Sequence, residues 1–356
     1  MAWNITTDRR GVTEKEQPGA NRPRKVLVIG GTLFIGRALV AELLKAGHEV
    51  WVLHRKPTQD LGKRVGNIMA DRNDVDTMRR VLSEHRFEVI FDNVYDWERG
   101  TTAAHIEACA RAALHPELRR YVFMSSVAAY GDGLNHHEGD ALAPDDYPDP
   151  YARNKATSER TLFRLHQRCG LPVTTLRPPF VYGPGNPFYR EAFFWDRLRD
   201  NRLIILPGDG RRLMQFVYIK DLVWACLRVL EVPAAVGHAF NIANPRPVTQ
   251  AELIAAFAEA AGRKATVVRV PRDRIYQAGG RVMSPPYYFG AYFDLPPITM
   301  LITKAQRVLG FKPTDFAEGL KQTYRWYVRH CPRRQIDYSF EDKLLSMAQV
   351  AAVAAN

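Results

Sequence analysis

The sequence predicts an α/β fold: a doubly wound parallel sheet with helices on both faces, followed by a smaller C-terminal α/β lobe. Three observations predict it. Short apolar runs alternate with longer amphipathic runs across residues 25–176, the pattern of strands joined by crossover helices. A glycine-rich turn, Gly30-Gly31-Thr32-Leu33-Phe34-Ile35-Gly36, links the first apolar run to the first amphipathic one. After Arg177 the texture changes, with Pro178, Pro179, Pro184 and Pro187 interrupting the chain.

Taken in order, Val26-Leu27-Val28-Ile29 is continuously apolar, as a strand buried on both faces must be. Residues 37–46 have helical apolar spacing and stop at Gly47. Residues 49–53 form a second strand, 74–85 a helix, 88–91 a strand and 101–114 a helix. Residues 121–124 are a strand opening into Ser125-Ser126, 151–169 a long helix closed by Gly170, and 172–176 a further strand. This divides the chain into a polar tail (1–24), a dinucleotide-binding part (25–180, with 215–245 returning to it), a region that is mainly substrate-binding lobe (181–330) and a second tail (331–356).

At 356 residues the chain can bury a full core, and 46% hydrophobic with 25% charged residues is ordinary for a soluble globular protein. No apolar run approaches the roughly 20 residues of a membrane span, and the N-terminus lacks a signal-peptide core. Cys109, Cys169, Cys226 and Cys331 are scattered, with no metal or disulfide spacing. The expectations are a cytoplasmic protein, no membrane partner and no metal. The net charge is +12; residues 1–25 hold six Lys or Arg against three acids, which leaves +9 spread over the rest. Such charge fits a solvated surface, phosphorylated ligands or nucleic acid alike.

A strand, a tight glycine turn and a helix N-terminus make an anion site, because backbone N–H groups and the helix dipole face outward. Gly30 allows the turn and Gly36 the close packing of helix on strand. A Rossmann-type dinucleotide site follows, with Thr32, Leu33, Phe34 and Ile35 around the cofactor. The second strand runs into His54, Arg55 and Lys56, with no Asp or Glu to accept from ribose hydroxyls. Two adjacent cations suit a 2′-phosphate, so NADP(H) is favoured over NAD(H) as the NAD(P) cofactor. Asp71 is a candidate for the adenine amino group or equally for the cap of the following helix, and Asp92 and Tyr95 either contact the cofactor or pack.

The motifs Gly30 to Gly36, Ser125-Ser126-Val127-Ala128-Ala129-Tyr130-Gly131, Tyr151-Ala152-Arg153-Asn154-Lys155, Arg177-Pro178-Pro179-Phe180-Val181-Tyr182-Gly183-Pro184 and Phe216-Val217-Tyr218-Ile219-Lys220-Asp221-Leu222 stand in this order. With them the chain resembles the extended short-chain dehydrogenase/reductase (NAD-dependent epimerase/dehydratase) family. The resemblance implies that Tyr151 is the acid/base at a substrate hydroxyl or carbonyl and that Ser126 orients the substrate oxygen. It implies that Ser125 sits beside the nicotinamide, that Pro178 belongs to the cofactor site, and that Lys155 binds the nicotinamide ribose. A free phenol has a pKa of about 10; Lys155, one helical turn away, and the positive charge of a bound nicotinamide are expected to lower it.

Three departures bear on function. Leu33 stands where the family has its middle glycine, as in a branch related to chloroplast stem-loop RNA-binding proteins. Ser126-Val127-Ala128 replaces the Thr-Asp-Glu of 4,6-dehydratases, which excludes that chemistry. Met214 replaces an arginine that clamps the diphosphate of nucleotide sugars, with Arg211 and Arg212 nearby. The readings that follow are an NAD(P)-dependent oxidoreductase or epimerase acting on a nucleotide-sugar-like small molecule, an NADPH-consuming reductase of a smaller keto compound, or an RNA-binding protein on a dehydrogenase scaffold. Nucleic acid is the weakest of these partners. By analogy, the helices near 101–114 and 151–169 form a homodimer interface.

Overall fold

A computed structural model describes residues 22–56 and 61–354. Most of the predicted N-terminal tail lies outside the described residues. The central sheet has seven parallel strands: β1 (Lys25–Ile29), β2 (Glu49–His54), β3 (Val65–Met69), β4 (Val89–Asp92), β5 (Arg120–Met124), and the strands Val173–Arg177 and His238–Asn241. Their spatial order is His238–Asn241, Val173–Arg177, β5, β4, β1, β2, β3. Chain order therefore runs outward both ways from the β1–β4 pair, whose register is Val26 opposite Val89 and Ile29 opposite Asp92. That reversal opens a crevice at the strands' C-terminal ends, where such sheets bind ligands.

Burial explains the sequence pattern. Val26, Leu27, Val28 and Ile29 are each 0% exposed, because α1 (Phe34–Lys45) and α6 (Ile219–Glu231) cover one face of the sheet while α2 (Val75–Glu84) and α3 (Ala103–Ala113) lie on the other. The helix α4 (Pro150–Cys169) starts where Asp149 accepts from the backbone N–H of Ala152 at 3.0 Å, and Pro150 follows at the first helical position. It ends at Gly170, left-handed at φ +71°.

The second lobe is built from α5 (Glu191–Arg199), α7 (Gln250–Ala260), the helix Phe316–His330 and short strand pairs. Its core is aromatic: Phe194 stacks on Phe257 at 4.7 Å, and Trp195 meets Phe257 edge-on at 5.5 Å. Residues 331–356, expected as a tail, include the helix Ser339–Ala354. It docks because Glu341 is buried in an ion pair with Arg197 and Leu344 is 1% exposed. No helix among the described residues is long and apolar enough to cross a membrane.

Candidate active site

The glycine turn lies at the crevice. Gly30 has φ +85°, and a Cβ there would meet Val94 of the loop after β4 at 3.0 Å. At Gly36 a Cβ would sit 1.9 Å from the Gly30 carbonyl oxygen, so nothing larger than glycine fits. Phe34, the first residue of α1, has φ +38°, a conformation that costs a bulky residue about 1–2 kcal/mol and marks the turn as strained. Leu33 is the N-cap in ordinary extended conformation, φ −128°, with its side chain 68% exposed. Thr32 and Ile35 are half-buried. Across the turn, both polar atoms of the Asn93 amide are buried without a hydrogen-bond partner. An orphaned amide beside a cradle that excludes side chains fits a polar group entering from outside, and a dinucleotide pyrophosphate and ribose are such groups.

Tyr151 and Lys155 lie on the first turns of α4. Ser126 caps the short 3-10 turn Val127–Tyr130, accepting from the Ala128 N–H at 3.1 Å, and its hydroxyl hydrogen-bonds the Tyr151 phenol. The three residues lie together, and the phenol is raised rather than lowered. Burial pushes Tyr151 up to about 12, with the Ser126 hydrogen bond and the positive charge of Arg190 only partly opposing it. Lys155 is 3% exposed and its ammonium donates to the Met124 carbonyl at 2.7 Å, lying 5.8 Å from the centre of the Tyr151 ring. Burial lowers Lys155 to about 8 against the pull of Asp92 and Glu159. The ammonium is tied to the strand end rather than to the phenol, which corrects the simple view of a lysine-lowered tyrosine.

Four further expected residues are engaged by protein partners. Ser125 is 2% exposed and donates its hydroxyl to Glu159, a fully buried acid that also pairs with Arg177 at 2.8 Å. Its hydroxyl thereby joins the buried Glu159–Arg177 network at the strand ends. Arg55 looks free of acids in sequence, but the loop after β4 brings Asp96 to it, with Nη1 to Oδ2 at 2.9 Å. Asp71 is taken by Arg99 at 2.6 Å, and Arg99 also holds Asp96 at 2.7 Å, so four charges form one chain. Although burial opposes it, backbone N–H groups of Arg99 and Glu98 with the two guanidiniums hold Asp96 down to about 2. Arg212, the candidate diphosphate clamp, is committed to the buried Asp294 at 2.9 Å.

The remaining expected residues are placed simply. His54 folds back, Nδ1 donating to the Lys56 carbonyl at 2.6 Å. Lys56 is exposed, and the buried Pro178 gives its carbonyl to the Val127 N–H at 2.9 Å. Tyr95 meets Tyr151 edge-on at 4.8 Å and accepts from Asn154 at 3.0 Å. Among the described residues no group of His, Cys, Asp or Glu is arranged to hold a metal ion.

Sequence reasoning missed Asn93, Trp97 and Arg190. Trp97, 57% exposed, stacks on Tyr151 at 4.7 Å and on Tyr292 at 6.4 Å. Arg190 is packed among Phe188, Phe180, Tyr292 and Phe293, with its guanidinium carbon 4.5 to 5.7 Å from the ring centres. The signal for Asn93 was its place one residue after the β4 strand. Nothing local marked Trp97 or Arg190, which reach the site through loops.

Comparison with known proteins agrees with this geometry. The family model described as "NAD dependent epimerase/dehydratase family" matches residues 26–243. The chain is 30% identical to the chloroplast stem-loop binding protein of 41 kDa b of Arabidopsis thaliana, over 92% of this chain and 85% of that protein. It is 27% identical to UDP-glucuronate 4-epimerase 2 of the same plant, over 85% of this chain and 75% of that one. Among solved structures, UDP-glucuronic acid 4-epimerase from Bacillus cereus, in complex with UDP-glucuronic acid and NAD, superposes with a TM-score of 0.68 at 21% identity, over 86% of this chain and 99% of that one. The dTDP-glucose 4,6-dehydratase of Streptomyces venezuelae, with NAD bound, gives 0.67 at 23%, over 86% and 97%. The seven-stranded sheet, the glycine cradle at its switch point and the family match agree, and the chain belongs to the NAD-dependent epimerase/dehydratase family.

Proposed function

We propose that the protein is an NAD-dependent epimerase or oxidoreductase that oxidises a hydroxyl carbon of a nucleotide sugar, with Tyr151 as its acid/base. The observation that carries this reading is the convergence of Tyr151, Ser126 and Lys155 beside the glycine cradle. Gly30, Gly36, Asn93 and the N-terminus of α1 would hold the dinucleotide. Its nicotinamide, when bound, supplies the hydride acceptor and a positive charge. Ser126 orients the substrate oxygen toward Tyr151. Tyr151 takes the hydroxyl proton and returns it, and the positive charges nearby favour its phenolate. Lys155, at about 8, is cationic at neutral pH and holds the Met124 carbonyl end of the site. Tyr151→Phe is expected to lower turnover of UDP-glucuronate in the presence of NAD by about 10²–10⁴-fold while leaving NAD affinity unchanged. Undiminished turnover would remove the role assigned to Tyr151.

For the cofactor, the Asp96–Arg55 pair supports NAD(H): the anion already occupies the cation that a 2′-phosphate would need. Titration with NADH and NADPH tests this, and selective NADPH binding would restore the reading based on Arg55 and Lys56. Net consumption of NADPH with a keto substrate would identify a reductase.

A second reading draws on the relative at 30% identity, which is named for binding stem-loops, and on the net charge of +12. It predicts stem-loop nucleic-acid binding that weakens steeply with salt. Absence of binding at low salt would remove it.

A further inference from the structure

Among the described residues Arg190 makes no ion-pair contact with an acid, and Glu191 acts on it through charge alone. Among the described residues its one hydrogen bond runs from Nε to the Ala291 carbonyl at 3.2 Å. Neither Nη nitrogen has a hydrogen-bond partner among the described residues, and the side chain is half-buried. Glu191 is the acid whose charge reaches Arg190 most strongly, but its carboxylate accepts from Asn186 at 2.8 and 3.1 Å. Burial lowers Arg190 to about 10, which still leaves it charged at neutral pH. Its flanking rings fix the guanidinium plane: Phe188 at 4.5 Å, Phe180 at 5.2 Å and Tyr292 at 5.4 Å. The arginine is also close to the chemistry, because its charge acts on the Tyr151 phenol and Tyr292 continues through Trp97 onto Tyr151.

A planar guanidinium held between aromatic faces with free N–H edges is preorganised for a bidentate anion. We propose that Arg190 binds a carboxylate carried on the sugar ring, so that the substrate is the nucleotide derivative of a sugar acid rather than of a neutral sugar. This rests on the function proposed above and adds the substrate class. The position selects the carboxylate over the diphosphate. Tyr151 marks the reacting carbon, so an anion reaching Arg190 belongs to that ring or its immediate substituent. The diphosphate leaves the sugar from the anomeric carbon, and Arg212, the residue suggested for it, is taken by Asp294.

The test is equilibrium binding of UDP-glucuronate and UDP-glucose to the protein saturated with NAD, with wild type, Arg190→Met and Arg190→Lys compared. Met keeps the apolar stem between the rings, and thermal melts check that each variant folds. Wild type is expected to bind UDP-glucuronate about tenfold to a hundredfold tighter than UDP-glucose, the size of a charge-assisted hydrogen-bonded pair. Arg190→Met is expected to remove that ratio while keeping the affinity for UDP-glucose, and Arg190→Lys to keep part of it. Equal wild-type affinities, or an Arg190→Met that weakens both sugars alike, would overturn the carboxylate assignment and leave the nucleotide-sugar function standing. Failure of both sugars to bind, with NAD bound normally, would overturn the two together.

Discussion

Arg177 and Arg190 are both withdrawn from water, and they are held in opposite ways. Arg177 makes three contacts to Glu159 between 2.8 and 3.1 Å and donates to the Tyr130 hydroxyl at 2.8 Å. Glu159 in turn accepts from Ser125 and from Thr175, so the acid and the base satisfy each other inside the protein. Although burial opposes it, that acid raises Arg177 above the ordinary arginine range, whereas burial alone moves Arg190 down. The first arrangement is closed and fixes the strand ends that carry Ser125 and Ser126. The second has aromatic packing and, among the described residues, no ion-pair contact, with Glu191 acting on it through charge alone. A buried charge with a full set of partners belongs to the architecture, and one with its partner missing points to a ligand.

Loss of Glu159 is expected to have the largest effect. Glu159→Ala strands Arg177 in a site that is 3% exposed, and removing one partner of a buried pair costs about 3–5 kcal/mol. Urea melts are expected to show that loss. Arg190→Met is expected to cost less than about 1 kcal/mol, the scale of the lost cation–π contacts, because no protein carboxylate loses its partner. Similar losses in the two variants would erase the distinction between them.

Lys155 lies between these extremes and sharpens the comparison through pH. Its ammonium has one backbone acceptor and two acids that attract it without an ion-pair contact. The folded-state pKa, about 8, is below the ordinary 10.5, so the native state binds fewer protons than the unfolded chain between these values. Stability from this group is therefore fully present above pH 10.5 and is lost as pH falls through 8. Between pH 7.5 and 9.5 wild type is expected to gain about 1–2 kcal/mol relative to Lys155→Met. Urea melts of both proteins at the two pH values would show it. A difference that stays constant with pH would mean that Lys155 titrates normally.

The fold was legible because its signals are local and repeated. Val26 to Ile29, the glycine turn, Asp149-Pro150 before α4 and Gly170 after it each state their conformation in a few residues. Tyr151, Lys155 and Ser126 were legible for the same reason. What the sequence hid is contact between distant segments. Asp96 reaches Arg55 across 41 positions, Asp294 reaches Arg212 across 82, and Glu341 reaches Arg197 across 144. Each pairing changes the meaning of a charge that, read alone, looks available. Arg190 is the converse case, an ordinary loop arginine in sequence that becomes conspicuous only when the fold gives it four rings and no ion-pair contact among the described residues.

The smallest effect is expected at Leu33, and it separates what the backbone requires from what a ligand requires. Gly36 is dictated by the backbone, since a Cβ there would overlap the Gly30 carbonyl. Leu33 is not, because φ −128° is open to any residue and its side chain packs against little. Glycine is the better N-cap and also the more flexible residue in the unfolded chain, so the two contributions oppose each other. Leu33→Gly is expected to change stability by less than about 0.5 kcal/mol. NAD affinity is expected to stay within about threefold, because the N–H groups that face the pyrophosphate come from the backbone and survive the substitution. Calorimetric titration of NAD into both proteins decides the point. A gain of more than tenfold would show that the leucine side chain lies across the phosphate path, and the glycine turn would then be shaped to weaken the dinucleotide rather than only to hold it.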